Sequence, residues 1–358
     1  MDVTSNLNIT ETFGEPHARG ADARTGDLRL EEVPDPELEK GGAIIEVVAS
    51  TLCGTDFKML QAGHRDLRYP RVPGHEFVGL IREIDGHSEF IEGDLVQVWP
   101  GVPCGTCPDC RRGNDHLCPS IGIMGFNRDG GMAELVSVPA ATMHCGVFQV
   151  RSMSPHVATL AEPLACCING QENTPVRRGD TVLIMGGGPI GAMHGLLAAR
   201  NGAARILITE HLPDRIALLE KKVADRVIDH GHEDIGKAVQ EETGGRGADV
   251  IFLATPEVRV DSMVLGLLAP RGRLSIFSGP KKDDQEVPMD LKAVHYHEFA
   301  VAGSYGCASR HNAEALELLR SGDIDATWLI THRLPLHEVQ EAFRLAGERK
   351  GMKITLDI

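Results

Sequence analysis

Four cysteines fall within fifteen residues: Cys104, Cys107, Cys110 and Cys118, in CGTCPDCRRGNDHLC. Two C-x-x-C steps and a fourth thiol eight residues on can wrap one ion tetrahedrally. Four thiolates with no open position describe structural zinc, with no place for a substrate. The rival reading is a redox dithiol. Such motifs use two cysteines at a helix start, not four in a Pro- and Gly-rich loop. A reduced, metal-free knot is the bland alternative, and four exposed thiols would be an oxidation liability.

A sparser set is spread along the chain. TLCGTDFK offers Cys53 and Thr55, VPGHEFVG offers His75 and Glu76, and LAEPLACC offers Glu162 with Cys166 and Cys167 behind it. One thiolate, one imidazole and one carboxylate, plus water, make an open metal site of the catalytic kind. Sequence spacing alone cannot assemble these three. Cys145, Cys166, Cys167 and Cys307 read as small buried thiols.

MGGGPIG supplies Gly186-x-Gly188-x-x-Gly191, with Pro189 and Ile190 between the last two glycines. It follows a predicted strand, DTVLIM (180–185), and opens a predicted helix, PIGAMHGLLAARNG (189–202). In that context Gly186 permits a tight turn, Gly188 lets the backbone approach a pyrophosphate, and Gly191 lets the helix pack on the sheet. The helix N-terminus favours the phosphate charge. Glu210 ends the next strand, nineteen residues after Gly191. It can accept hydrogen bonds from a ribose 2′-hydroxyl and would repel a 2′-phosphate, which favours NAD over NADP. His211 and Arg215 nearby soften that preference.

The elements that must position these residues divide into two patterns. AIIEVVAS (43–50), FVGLIREI (77–84), DLVQVW (94–99) and MAELVSVP (132–139) are β-like runs bounded by turn residues. From about residue 155 the pattern changes to alternating strands and helices: RILITE (205–210), PDRIALLEKK (213–222), RVID (226–229), DIGKAVQEET (234–243), DVIFLAT (249–255), RVDSMVLGLLAP (259–270) and GRLSIFSG (272–279). This alternation predicts parallel βαβ units. The 358 residues exceed one ordinary core, so two domains are expected. The net charge of −15 argues against a nucleic-acid partner. No apolar run suggests a membrane span, and the opening residues carry no secretory pattern. Nine cysteines then point to a reducing, cytoplasmic setting.

The order C-G-T-D, G-H-E, four-cysteine lobe, E-P-L and G-G-G-P-I-G resembles the zinc-containing medium-chain dehydrogenases. Within them it is most similar to the sorbitol (polyol) dehydrogenase branch, which includes threonine dehydrogenase-like members. The resemblance covers nearly the whole chain. It implies an α/β protein: a β-rich GroES-like catalytic domain at 1–162 and 302–358, and a Rossmann doubly wound parallel-sheet nucleotide-binding domain at 163–301. HYHEFAVAGSYG (295–306) looks like the chain's return to the catalytic domain.

Carried over position by position, Cys53, His75 and Glu162 are the implied catalytic zinc ligands. Glu76 approaches the metal or holds a water, Asp56 orients the histidine, and Thr55 relays the substrate proton. Cys104, Cys107, Cys110 and Cys118 hold the structural zinc. Gly186, Gly188, Pro189, Ile190, Gly191, Glu210 and Arg215 hold NAD. Lys58 stands where some relatives place a relay histidine, which puts the outer proton path in doubt.

The implied reaction moves a hydride between a secondary alcohol and NAD, with the substrate oxygen on the catalytic zinc. A polyol, sugar or cyclitol is the expected substrate, as alcohol or ketone. A β-hydroxy amino acid, as in threonine dehydrogenases, is the enzyme alternative. A non-catalytic, zinc-stabilised NAD-binding regulator is the alternative of another class. His64, Arg65 and Arg68 in QAGHRDLRYPR (61–71) either line the substrate site or form a solvated basic loop. A homodimer or homotetramer is implied, with GRLSIFSGP as a joining sheet edge.

Overall fold

Val182, Leu183 and Ile184 are successive residues of one strand, and all three are buried. A strand apolar on both faces must be covered on both faces, which is the signature of a parallel sheet inside helices. The computed structural model, which describes residues 18–24, 26–64, 66–86, 89–255, 260–279 and 288–358, contains that sheet. Its six parallel strands lie in the order Arg226–Asp229, Arg205–Glu210, Thr181–Met185, Ala248–Leu253, Leu268–Ile276 and Ala300–Gly303. Taken in chain order this is third, second, first, fourth, fifth, sixth, the doubly wound Rossmann arrangement. Val182, Ile184, Ile206, Ile208, Val250 and Phe252 pack toward helices Ala161–Asn173, Pro189–Arg200 and Ser309–Ser321. Leu183, Leu207, Ile228 and Ile251 pack the opposite face with Val239 and Val264.

The second sheet is mainly antiparallel and has seven strands. Ala43–Thr51 lies at its centre, paired with Phe77–Ile84, Leu135–Val138 and the last strand of the chain, Lys353–Asp357. Thr355 faces Thr51, and the Leu52 N–H donates to the Ile354 carbonyl at 2.9 Å. The C-terminal strand is thereby docked beside the residue that precedes Cys53. This is the GroES-like part, and its core is built on Ile45, Phe77, Ile81, Val96 and Val136.

Three expectations change. HYHEFAVAGSYG is not the return. Leu291–Tyr296 is a helix, and Ala300–Gly303 pairs with Leu268–Ile276 as the sixth parallel strand. Phe299 and Val301 pack on the sheet core, so burial keeps this segment there, and the chain leaves after Gly303. The sheet edge on this side is therefore Ala300–Gly303, because GRLSI belongs to the inner strand Leu268–Ile276. RVDSMVLGLLAP is helical only over Ser262–Leu265, because the fifth strand already starts at Leu268. Arg65 and Arg259 lie outside the described residues. Among the described residues no helix is long and apolar enough to cross a membrane.

Candidate active site

Cys53 is the N-cap of helix Gly54–Ala62, in extended backbone just after the central strand. Asp56, in the first turn, accepts the Cys53 backbone N–H on Oδ2 at 2.9 Å. Its other oxygen, Oδ1, lies 3.2 Å from His75 Nδ1. One buried carboxylate thus sets both the cysteine and the imidazole, leaving His75 Nε2 for another partner. His75 follows Gly74, whose φ is +97°. A Cβ on Gly74 would lie 2.8 Å from the Met132 backbone nitrogen, so glycine is required for this approach. Phe126 meets the His75 ring edge-on, with centroids 5.3 Å apart.

Glu76 is fully buried, and Lys353 Nζ donates to both of its oxygens, at 2.7 and 2.5 Å. The same ammonium donates to the Leu52 carbonyl at 2.9 Å. The Cys53 thiol, the His75 imidazole and the Glu76 carboxylate lie within 4.8 Å of one another. Burial opposes a charge on His75, yet Asp56 and Cys53 override it and hold its pKa well above the usual imidazole value. Burial likewise opposes the Lys353 charge, and Glu76 with Cys53 outweighs it, so the lysine stays a cation.

Glu162 enters from the first turn of helix Ala161–Asn173 and is buried. Burial raises its pKa, against attraction from His75 and Lys353, which places it beside the same cluster. Its Oε1, however, accepts from Cys166 at 3.6 Å and from Cys307 at 4.0 Å. Side-chain donors therefore fall into two adjoining groups, with Glu76 rather than Glu162 nearest Cys53 and His75. A half-buried sulfur beside a buried imidazole and carboxylate fits a zinc ion chemically. Thr55 is half-buried and Lys58 exposed on the same helix. His64 also packs edge-on against Phe126, at 5.3 Å. Arg68 turns its guanidinium to the Leu67 carbonyl at 2.8 Å.

The four clustered cysteines also converge, with all four sulfurs within 4.8 Å of one another. Cys107 N–H donates to Cys104 Sγ at 3.3 Å, Cys110 N–H to Cys107 Sγ at 3.4 Å, and Cys104 N–H to Cys118 Sγ at 3.4 Å. Backbone donors aimed at sulfur stabilise thiolates, and those from Thr106 and Cys107 hold Cys104 down at about 5. No disulfide joins any of these thiols.

The nucleotide loop leaves strand Thr181–Met185 where the strand order reverses. Gly186 has φ +114°, and a Cβ there would lie 2.7 Å from the Ala254 carbonyl oxygen. A Cβ on Gly191 would lie 1.9 Å from the Gly186 oxygen. Gly187, which the motif leaves free, would drive a Cβ to 2.8 Å from Glu210 Cβ. Gly188 differs: its Cβ would meet only Arg215 Nη1, at 3.6 Å. That open space lies at the N-cap of the helix led by Pro189 and Ile190, whose N-terminus favours an anion. Glu210 is buried, and its Oε1 accepts the N–H groups of His211 at 2.7 Å and Leu212 at 3.1 Å. Arg215 Nη1 stands 3.8 Å from the other Glu210 oxygen, and its Nε donates to the Gly351 carbonyl at 3.0 Å. Arg215 thus ties the nucleotide sheet to the C-terminal segment.

Sequence reasoning missed Lys353, Phe126 and Cys307. Only Lys353 leaves a local signal: a lysine inside the apolar strand KITLD, buried like its neighbours.

Comparison with known proteins shows the family. The alcohol dehydrogenase GroES-like domain family matches residues 39–146, and the zinc-binding dehydrogenase family matches residues 189–321. The chain is 31% identical to D-altritol 5-dehydrogenase of Agrobacterium fabrum, over 89% of this chain and 92% of that protein. It is 32% identical to L-threonine 3-dehydrogenase of Bacillus velezensis, over 91% and 94%. A zinc-binding dehydrogenase of Sinorhizobium meliloti, solved bound to NADP, superposes with a TM-score of 0.87 at 26% identity, covering 96% of this chain and 100% of that one.

Proposed function

The chain belongs to the zinc-containing medium-chain alcohol dehydrogenases, and from that premise we propose that its substrate is a small polyol, sugar or cyclitol oxidised at a secondary alcohol. The zinc and NAD(P) dependence of the family comes with that membership. The observation that carries the substrate reading is the donor set itself. Two carboxylates, one imidazole and three thiols gather at the site, and this polar set suits a hydroxyl-rich ligand better than an apolar one. Relatives acting on D-altritol and on erythritol or L-threitol support it.

Cys53, His75 and Glu162 hold the catalytic zinc, and Glu76, tied to Lys353 beside them, stays outside the ligand set so that one position is open. Cys104, Cys107, Cys110 and Cys118 hold the structural one. Bound in the open set, zinc supplies Lewis acidity that makes an alcohol proton easier to lose. NAD supplies the hydride acceptor. Asp56 fixes the His75 ring, Lys353 anchors Glu76, and the half-buried Thr55 hydroxyl passes the alcohol proton outward. Gly188 receives the pyrophosphate and Glu210 the adenosine ribose, favouring NAD. The catalytic part comprises the segments before Glu162 and after Gly303, with the nucleotide part between.

Ala300–Gly303 is the joining edge of a dimer or tetramer. Leu291 and Tyr296, 72% and 73% exposed on the helix before it, give that edge an apolar flank. Thiols without disulfides fit a reducing cytoplasm.

An NAD-reduction screen over polyols, cyclitols, sugars and L-threonine tests the reading. Turnover confined to L-threonine would favour the second reading, which the threonine dehydrogenase relatives support. Glu162→Ala should abolish turnover and keep NADH binding. Normal turnover in that variant would remove Glu162 from the metal.

A further inference from the structure

Helix Ala161–Asn173 presents Glu162 and Cys166 one turn apart, on the same face. Cys307 reaches that face from the segment leaving the parallel sheet, with its carbonyl pinned by Trp99 Nε1 at 3.0 Å. The three donor atoms lie within 4.8 Å of one another. Cys166 Sγ is 3.6 Å and Cys307 Sγ 4.0 Å from Glu162 Oε1. Zinc–sulfur bonds of about 2.3 Å and a zinc–oxygen bond of about 2.0 Å at tetrahedral angles separate sulfur from oxygen by about 3.5 Å. The two sulfur–oxygen separations therefore lie within about 0.5 Å of those in a tetrahedral metal site. Cys167 is excluded, because its thiol turns away to the Ile190 carbonyl at 3.7 Å. Glu162 and Cys307 are buried and Cys166 half-buried, so the donors are shielded from bulk water.

We propose that Glu162, Cys166 and Cys307 form a further metal site, rich in thiolate, beside the Cys53–His75–Glu76 group. Two sulfurs and one carboxylate select a soft cation such as zinc or cadmium over magnesium or calcium. The site rests on the reading of Glu162 as a ligand of the catalytic zinc, since the two sites share that carboxylate. A third ion held here competes for Glu162, and turnover falls as the site fills.

The test is a zinc titration of the full-length protein, read by elemental analysis and by competition with a chromophoric chelator. The wild type should hold two tightly bound ions and take up a third. Cys166→Ser and Cys307→Ser, assayed singly and shown to be folded by circular dichroism and NADH binding, should each lose only the third equivalent. Saturation at two ions in the wild type overturns the proposal, as does a third ion retained by both variants. Saturation at one ion overturns the catalytic-zinc reading as well, which separates the two failures. Magnesium taken up in place of zinc would also count against it.

Discussion

Lys353 and Glu76 are 277 residues apart and form a two-pronged ion pair at the centre of the site, with both side chains buried. The strand Lys353–Asp357 thus brings Lys353 against the Cys53, His75 and Glu76 cluster. Lys353→Met leaves the Glu76 carboxylate buried without its cation, a change that costs about 3–5 kcal/mol. Thermal denaturation should show a drop of several degrees and weaker zinc retention. Adding Glu76→Gln removes the unpaired charge and should recover part of the loss in melting temperature. A double variant as unstable as the single one would show that the pairing is not the cause.

The parts legible in the sequence were those with short-range logic. The glycine loop sits between a strand and a helix, and the four cysteines lie in one lobe, so spacing alone carries their geometry. RILITE, PDRIALLEKK and RVID match elements Arg205–Glu210, Pro213–Lys222 and Arg226–Asp229 residue for residue, because apolar period and turn residues agree there. What stayed hidden depends on distant chain. Nothing near Lys353 reveals that strand Lys353–Asp357 lies against Ala43–Thr51. Cys307 gains its meaning only from the path between Gly303 and Ser309. The sixth strand was misplaced because AVAG is short and weakly apolar, and its pairing with Leu268–Ile276 is a tertiary choice.

Two glycines of one loop should fail differently. A Cβ on Gly191 collides with the Gly186 carbonyl at 1.9 Å, so Gly191→Ala should unfold the loop and lower soluble yield. A Cβ on Gly188 meets only Arg215 Nη1, at 3.6 Å, so Gly188→Ala should fold normally. It should nevertheless weaken NADH binding by about tenfold or more, roughly 1.4 kcal/mol, because the methyl occupies phosphate space. Calorimetric titration with NADH, beside a melting curve, separates the two. Unchanged affinity in Gly188→Ala would move the pyrophosphate elsewhere.

His194 sits in the core between Phe252 and Phe277, with ring centroids at 4.3 and 4.6 Å. Neither ring nitrogen has a hydrogen-bond partner, and burial pushes its pKa down from 6.5 to about 3. The unfolded chain therefore takes a proton that the folded chain refuses. Stability is fully present above pH 6.5 and drains away as pH falls toward 3, at about 1.4 kcal/mol per pH unit. His194→Leu removes this term, so it should gain about 2 kcal/mol relative to wild type between pH 7.5 and pH 5. Urea unfolding at the two pH values measures it. Parallel losses in both proteins would mean that His194 is not the acid-sensitive group.

The four-cysteine lobe is fastened to the helix that begins beside Cys307. Helix Ser309–Ser321 has Ala308 at its N-cap, which has no polar side chain to accept a backbone N–H, although its own N–H donates to His311 Nδ1 at 3.0 Å. Asp115 of the lobe takes that place, accepting the Ser309 N–H at 3.0 Å and its hydroxyl at 2.5 Å. Arg310 adds a second tie, from the Gly113 carbonyl at 3.1 Å to Glu172 at 2.7 and 2.8 Å. Loss of a helix cap costs about 1 kcal/mol, and a buried charged acceptor raises that to about 2. Asp115→Ala should therefore lower stability by about 2 kcal/mol, read by urea unfolding. Chelating the zinc proposed for the four sulfurs should destabilise the wild type more than this variant, because both perturbations release the same contact. Strictly additive losses would show that the lobe and the helix are energetically independent, and that the lobe's metal does not support the Cys307 segment.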